Sequence, residues 1–111
     1  GSDWPGTSAA EYYEHPKYLR HSAVNRTTIN GTPQGGWFPE QKISMHEALK
    51  AYTINNAIAA FEGHLRGSIK KGKLADIAVC DRNLMKIDPK DILKMNVVMT
   101  IVDGRIVYEA L

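Results

Sequence analysis

The chain has 111 residues, 43% of them hydrophobic and 23% charged, with a formal net charge of +2. That size supports one modest core and at most one domain, and the weak positive balance gives no case for a nucleic-acid partner. A single cysteine, Cys80, rules out an internal disulfide, and four histidines without CxxC or HxxxH spacing argue against a structural zinc site.

No apolar run approaches the roughly 20 residues of a membrane span, and no stretch reads as a signal peptide. A membrane partner is therefore not expected, and a cytoplasmic, reducing compartment is. The sequons Asn25-Arg26-Thr27 and Asn30-Gly31-Thr32 read as chance matches in that setting.

Residues 1–43 are turn-rich, with Pro5, Pro16, Pro33, Pro39 and the pair Gly35-Gly36. A short helix is predicted over Lys17–Arg26, where Leu19 and Ala23, and Arg20 and Val24, stand four apart. A segment this irregular rarely sits inside a small domain unless it is functional. The clearest helix spans about 44–62. Ser44 and Glu47 form a capping box, Ala48, Leu49, Tyr52, Ala59 and Ala60 recur at helical spacing, and Gly63 supplies a stop.

From Gly67 the pattern changes to strands. Ala75–Asp81 reads as a buried strand after the basic turn Lys70-Lys71-Gly72-Lys73. Asp88-Pro89 caps a second short helix running to Met95. Val97–Val102 and Arg105–Tyr108 flank Asp103-Gly104, a strong hairpin signal because both turn positions need positive φ. The expected class is α+β: an irregular N-terminal segment, one long helix, a small mostly antiparallel sheet and a second short helix. The strands are apolar on both faces and need cover that one helix does not supply.

The stretch Gly67-Ser68-Ile69-Lys70-Lys71-Gly72-Lys73-Leu74-Ala75-Asp76-Ile77-Ala78-Val79 resembles the signature G-x-I-x-x-G-x-x-A-D-[LI]-x-[VL] that closes amidohydrolase-superfamily enzymes. "VDGRIVYE" looks like that family's final hairpin, and "EALKAYTINNAIAAF" resembles the helix after the last barrel strand. "SDWP", "AVNRTT" and "GGWFPEQKIS" are similar to the branch that includes N-substituted formamide deformylases.

The resemblance covers essentially the whole chain. It implies the C-terminal part of a (β/α)8-barrel hydrolase. Residues 1–66 would hold the end of the barrel, and residues 67–111 the C-terminal share of a composite β-sandwich. The expected function is metal-dependent hydrolysis of an amide or N-formyl C–N bond in the full-length protein. The 111 residues alone are expected to be inactive and metal-free. The implied partners are the N-terminal barrel portion of the same protein and a small-molecule substrate, with self-association expected of the isolated chain. Gly1-Ser2 reads equally as native or as a cloning remnant.

In the resemblance, Asp3 matches the aspartate that ligates a divalent metal, zinc by preference, and exchanges protons with the attacking water. On its own one carboxylate cannot hold a metal for which catalytic sites take three protein ligands. Trp4 would shape the pocket mouth or lie buried beneath a loop. Arg26, Trp37, Glu40 and Gln41 lie in loops where they contact substrate or simply brace the loops. His15, His21, His46 and His64 read as solvated surface groups, the lysine run as a solvated turn, and Cys80 as a small apolar residue. The competing reading is a stand-alone, non-catalytic binding or assembly module, since caps and strands are locally consistent.

Overall fold

The structure, a computed structural model, describes residues 15–110. Helix α1 (Pro16–Asn25) starts with Pro16 in its first turn, and the His15 ring accepts from the Lys17 N–H at 3.3 Å. A 3-10 turn, Pro39–Gln41, precedes α2 (Met45–Tyr52) and α3 (Ile54–Ala59). Strand β1 (Ile77–Cys80), a 3-10 turn at Pro89–Lys94, and the hairpin β2 (Val97–Val102) with β3 (Arg105–Glu109) complete the order.

The capping box forms as the sequence predicts. The Ser44 N–H donates to a Glu47 carboxylate oxygen at 2.8 Å, and the Glu47 N–H donates to Ser44 Oγ at 3.2 Å. The helix it opens is not the single element expected over about 44–62. It breaks at Thr53 (φ −125°, ψ −96°) and restarts at Ile54. The Thr53 hydroxyl donates to the Leu49 carbonyl at 2.8 Å, and its N–H reaches Lys50 O at 3.2 Å, so the regular four-residue ladder is lost there.

The stop also falls earlier than Gly63. Phe61 takes φ +60°, its N–H bonding Ile58 O at 2.9 Å, while the Glu62 N–H bonds Ala57 O at 2.7 Å. That paired arrangement is a Schellman end with phenylalanine in the position glycine usually takes.

The three strands form one antiparallel sheet in the order β1-β2-β3. Ile77 faces Ile101 and Val79 faces Met99, and the register shifts between Val79 and Cys80. Asp103 (φ +49°) and Gly104 (φ +75°) make the tight turn the sequence predicts. The tip is tied back by the Asp103 N–H donating to Asp76 Oδ1 at 2.9 Å and the Gly104 N–H to Ala75 O at 3.2 Å.

Strand β1 is shorter than the predicted Ala75–Asp81 and is half-buried to exposed rather than buried. The second short helix is a 3-10 turn, with Asp88 capping the Lys90 N–H at 2.9 Å. The coarse class is α+β with a three-stranded antiparallel sheet and short helices.

The described residues divide into two units, 15–48 with 84–95, and 49–83 with 96–110. In the first, α1 packs on the Pro89–Lys94 turn, and Ile92, Met95 and Ala48 are buried. Arg20 and His21 are buried there as well, so the inward face of α1 is polar at its centre. In the second, Ala57 is the buried apolar residue, and Gly67 lies so close to Ile54 and Ala57 that an added Cβ would meet them at 2.8 Å.

Candidate functional site

The polar architecture of the first unit is concentrated in the loop after α1. Helix α1 ends at Arg26, held at φ +57°, ψ +35°, with its N–H on Ser22 O at 2.9 Å. That left-handed residue turns the chain away from the helix axis and starts a closed loop. The loop returns at Trp37, whose N–H donates to Arg26 O at 2.7 Å while Arg26 Nε donates to Trp37 O at 3.1 Å.

Arg26 Nη2 also donates to Gln41 Oε1 at 3.3 Å, and its guanidinium carbon stands 5.5 Å from the Trp37 ring centre. Phe38, at φ +48°, sets its ring edge-on to Trp37 at 4.6 Å. The structure thus brings together Arg26, Trp37 and Gln41, three residues the sequence points to, and exposes Glu40 beside them.

The inner part of the loop is a turn closed by threonines. Thr28 N–H bonds Thr32 O at 2.8 Å, Gly31 N–H bonds Thr28 O at 2.9 Å, and the two threonine hydroxyls meet at 3.0 Å. Gly36 (φ +94°) completes the closure, because a Cβ there would lie 2.6 Å from Asn25 O. Two cavities flank the loop. One of about 460 Å³ is lined by Ser22, Arg26, Thr28, Thr32, Pro33 and Trp37 among others. The other, about 530 Å³, includes His21, Asn25, Gln34, Lys42 and Lys90 in its walls.

His21 departs from the solvated role expected of it. It is 4% exposed, and its Nε2–H donates to Thr28 O at 3.1 Å, with Thr27 Oγ1 at 3.2 Å. Nδ1 therefore accepts from Asn25 Nδ2 at 2.9 Å, and the same amide donates to Pro89 O at 2.8 Å. The ring ties α1 to the threonine turn as a buried polar brace. Its sequence signal was its place on the inward face of α1, four residues before Asn25.

In the second unit, Asp81 carries a network that the sequence did not single out. The Asn96 N–H donates to Asp81 Oδ1 at 3.0 Å, the Asn96 amide to Oδ2 at 3.1 Å, and the Asp81 N–H returns to Asn96 O at 3.0 Å. The Asn96 backbone donor holds the Asp81 carboxyl below its ordinary value, helped by the Asn96 side chain and Arg82.

Among the described residues no three His, Cys, Asp or Glu side chains gather into a set that could hold a metal ion. Asp3 and Trp4 lie outside the described residues. No described helix is long and apolar enough to cross a membrane.

The family model described as Amidohydrolase family matches residues 1–108, from the first residues through the β2–β3 hairpin. The chain belongs to the amidohydrolase family. An N-substituted formamide deformylase of Arthrobacter pascens is 36% identical over 94 residues, covering 85% of this chain and 17% of that protein. The protein LONG AFTER FAR-RED 3 of Arabidopsis thaliana is 36% identical over 108 residues, 97% of this chain and 17% of its own length. A putative amidohydrolase, YtcJ, of Bacillus subtilis is 30% identical over 88 residues, 79% of this chain and 17% of its own. This amidohydrolase-family chain thus spans about a sixth of the length of those relatives. No solved structure matches it.

The family signature now has a local physical meaning. Gly67 (φ +87°) is the close-approach point against α3, and Gly72 (φ +90°) turns the lysine loop. Asp76 accepts from the hairpin tip and lies 3.8 Å from Arg66 Nη1. These positions shape the sheet. They present no reactive constellation of their own.

Proposed function

We infer that the protein carrying these residues hydrolyses a carbon–nitrogen bond of the amide or N-formyl type, and that this chain is the C-terminal part of its metal-dependent catalytic fold. The observation that carries the reading is the family match over residues 1–108, which takes in the Asp3 segment and the β2–β3 hairpin. The likeness to an N-substituted formamide deformylase supports an N-substituted formamide as the first substrate to try. In this reading residues 1–66 close the barrel and residues 67–111 complete a β-sandwich beside it.

Asp3 is the residue assigned to the chemistry. A carboxylate in that role takes a proton from the attacking water and returns it to the departing nitrogen, a contribution of about 10²–10⁴ in rate. The described residues do not by themselves fit a divalent metal site, so in this chain only Asp3 is assigned as a ligand, and zinc would need further ligands from the longer polypeptide. Arg26, Trp37 and Gln41 are assigned to the substrate side, with Trp4.

The test is turnover by the full-length protein on a panel of amides and N-substituted formamides, with metal content measured in parallel. Stoichiometric divalent metal and release of free amine are expected. A metal-free protein that turns over none of the panel would overturn the reading. The 111-residue chain supplied with zinc or manganese is expected to show no hydrolysis.

A further inference from the structure

Arg26, half-buried in the first unit, makes hydrogen bonds that leave part of its donor set open. Nε is committed to Trp37 O and Nη2 to Gln41 Oε1, while the guanidinium carbon lies 5.5 Å from the Trp37 ring centre, within cation–π range. No carboxylate among the described residues lies within ion-pair distance of Arg26. A guanidinium so held keeps a planar fork of N–H groups in a fixed direction at little further entropy cost, and that fork matches a carboxylate in two-point geometry.

The residue is also placed at a backbone cost. An arginine at φ +57° occupies a helix end where glycine would be easier by about 1 kcal/mol. Arg26 lines the open cavity of about 460 Å³ together with Ser22, Thr27, Thr28, Thr32, Pro33 and Trp37. The exposed Trp37 supplies an apolar face beside the cation, and it is 62% exposed for a residue fixed at both its N–H and its carbonyl. The cation and the exposed aromatic residue beside it suit a small carboxylate with an apolar or aryl body.

We propose that the Arg26–Trp37 cavity binds an organic carboxylate, the anionic group on the Arg26 fork and the apolar body against Trp37. This site gives a ligand class to the substrate-side residues Arg26 and Trp37, and it rests on that reading. The probe is 4-fluorobenzoate, followed by fluorine NMR on the full-length protein, with 4-fluorobenzyl alcohol as the neutral twin.

Saturable binding of the acid, at least tenfold tighter than the alcohol, is expected. Arg26→Gln should weaken it about ten- to hundredfold, the worth of a charge-assisted hydrogen bond. Arg26→Lys keeps the charge but not the fork and should also lose about tenfold, which covers the case in which the glutamine variant fails to fold. Asp3→Asn should leave acid binding unchanged while abolishing turnover, so failure of the site and failure of the proposed hydrolysis are told apart. Non-saturable binding, equal binding of acid and alcohol, or binding unaffected in either folded Arg26 variant would overturn the proposal.

Discussion

Gly36 and Gly72 both sit at positive φ, yet their surroundings set very different costs for a side chain. At Gly36 a Cβ would fall 2.6 Å from the Asn25 carbonyl and 2.9 Å from the Lys42 side chain, whereas Gly72 has nothing within 4 Å. Gly36→Ala should therefore cost roughly 2–3 kcal/mol through backbone overlap added to strain. Gly72→Ala should cost only about 1 kcal/mol, from conformation alone. Urea unfolding of the two variants checks the difference, and equal losses would contradict the close approach at Gly36.

Asp81 gives a pH signature at the same scale. Its folded carboxyl lies below the ordinary value, chiefly because the Asn96 N–H bonds the charged form. The stabilising contribution is fully present above the unfolded value of about 4 and is lost as pH falls through the lower folded value. Asp81→Asn should flatten the loss of stability in that acid window, as measured by unfolding midpoints at stepped pH. An unchanged acid limb would show that the Asn96 network does not couple folding to protonation.

Among the elements, helix starts are the most legible features, and helix continuity and helix stops the least. Ser44 and Glu47 announce their helix because each satisfies the other's neighbouring N–H, a local requirement written in residues three apart. Ser44→Ala should cost about 1 kcal/mol and lower helical circular dichroism. The break at Thr53 was hidden because the apolar spacing runs through it. What interrupts the helix is a hydroxyl competing for Leu49 O and the close approach of Gly67 from farther along the chain.

Phe61 shows the same limit, since a phenylalanine carries no stop signal and Gly63 two residues later does. Its left-handed backbone and 90% exposure mean that Phe61→Gly should stabilise the 111-residue chain by about 0.5–1 kcal/mol. A lower melting temperature in that variant would show that the ring has a packing role within the chain.

Taken as a whole, the described residues leave large apolar side chains on the surface. Ile106, Val107 and Tyr108 on β3 are all exposed, so both faces of that strand are open, as are Ile69 and Phe61 in the same unit. The sequence foretold this in outline: strands apolar on both faces with one helix to cover them. At raised concentration the isolated chain should self-associate, and Val107→Lys should reduce the light-scattering mass. A monomer at all concentrations would argue against exposed strands seeking partners.

Of the candidate site, the loop residues Arg26, Trp37 and Gln41 could be picked out from sequence by their setting among turn residues. Their mutual hydrogen bonds could not, because they depend on left-handed turns at Arg26 and Phe38 that no glycine marks. His21 reads as solvated in the sequence for a related reason: its partners Thr27 and Thr28 come back to it only after the helix has ended. The assignment of Asp3 rests on family likeness alone.

The most direct test of the central claim is amine release from an N-substituted formamide by the full-length protein, wild type against Asp3→Asn. Measurable turnover is expected of the wild type and a fall of at least about 10²-fold in the variant, with folding intact. Turnover equal in both, with the same pH profile, would contradict it.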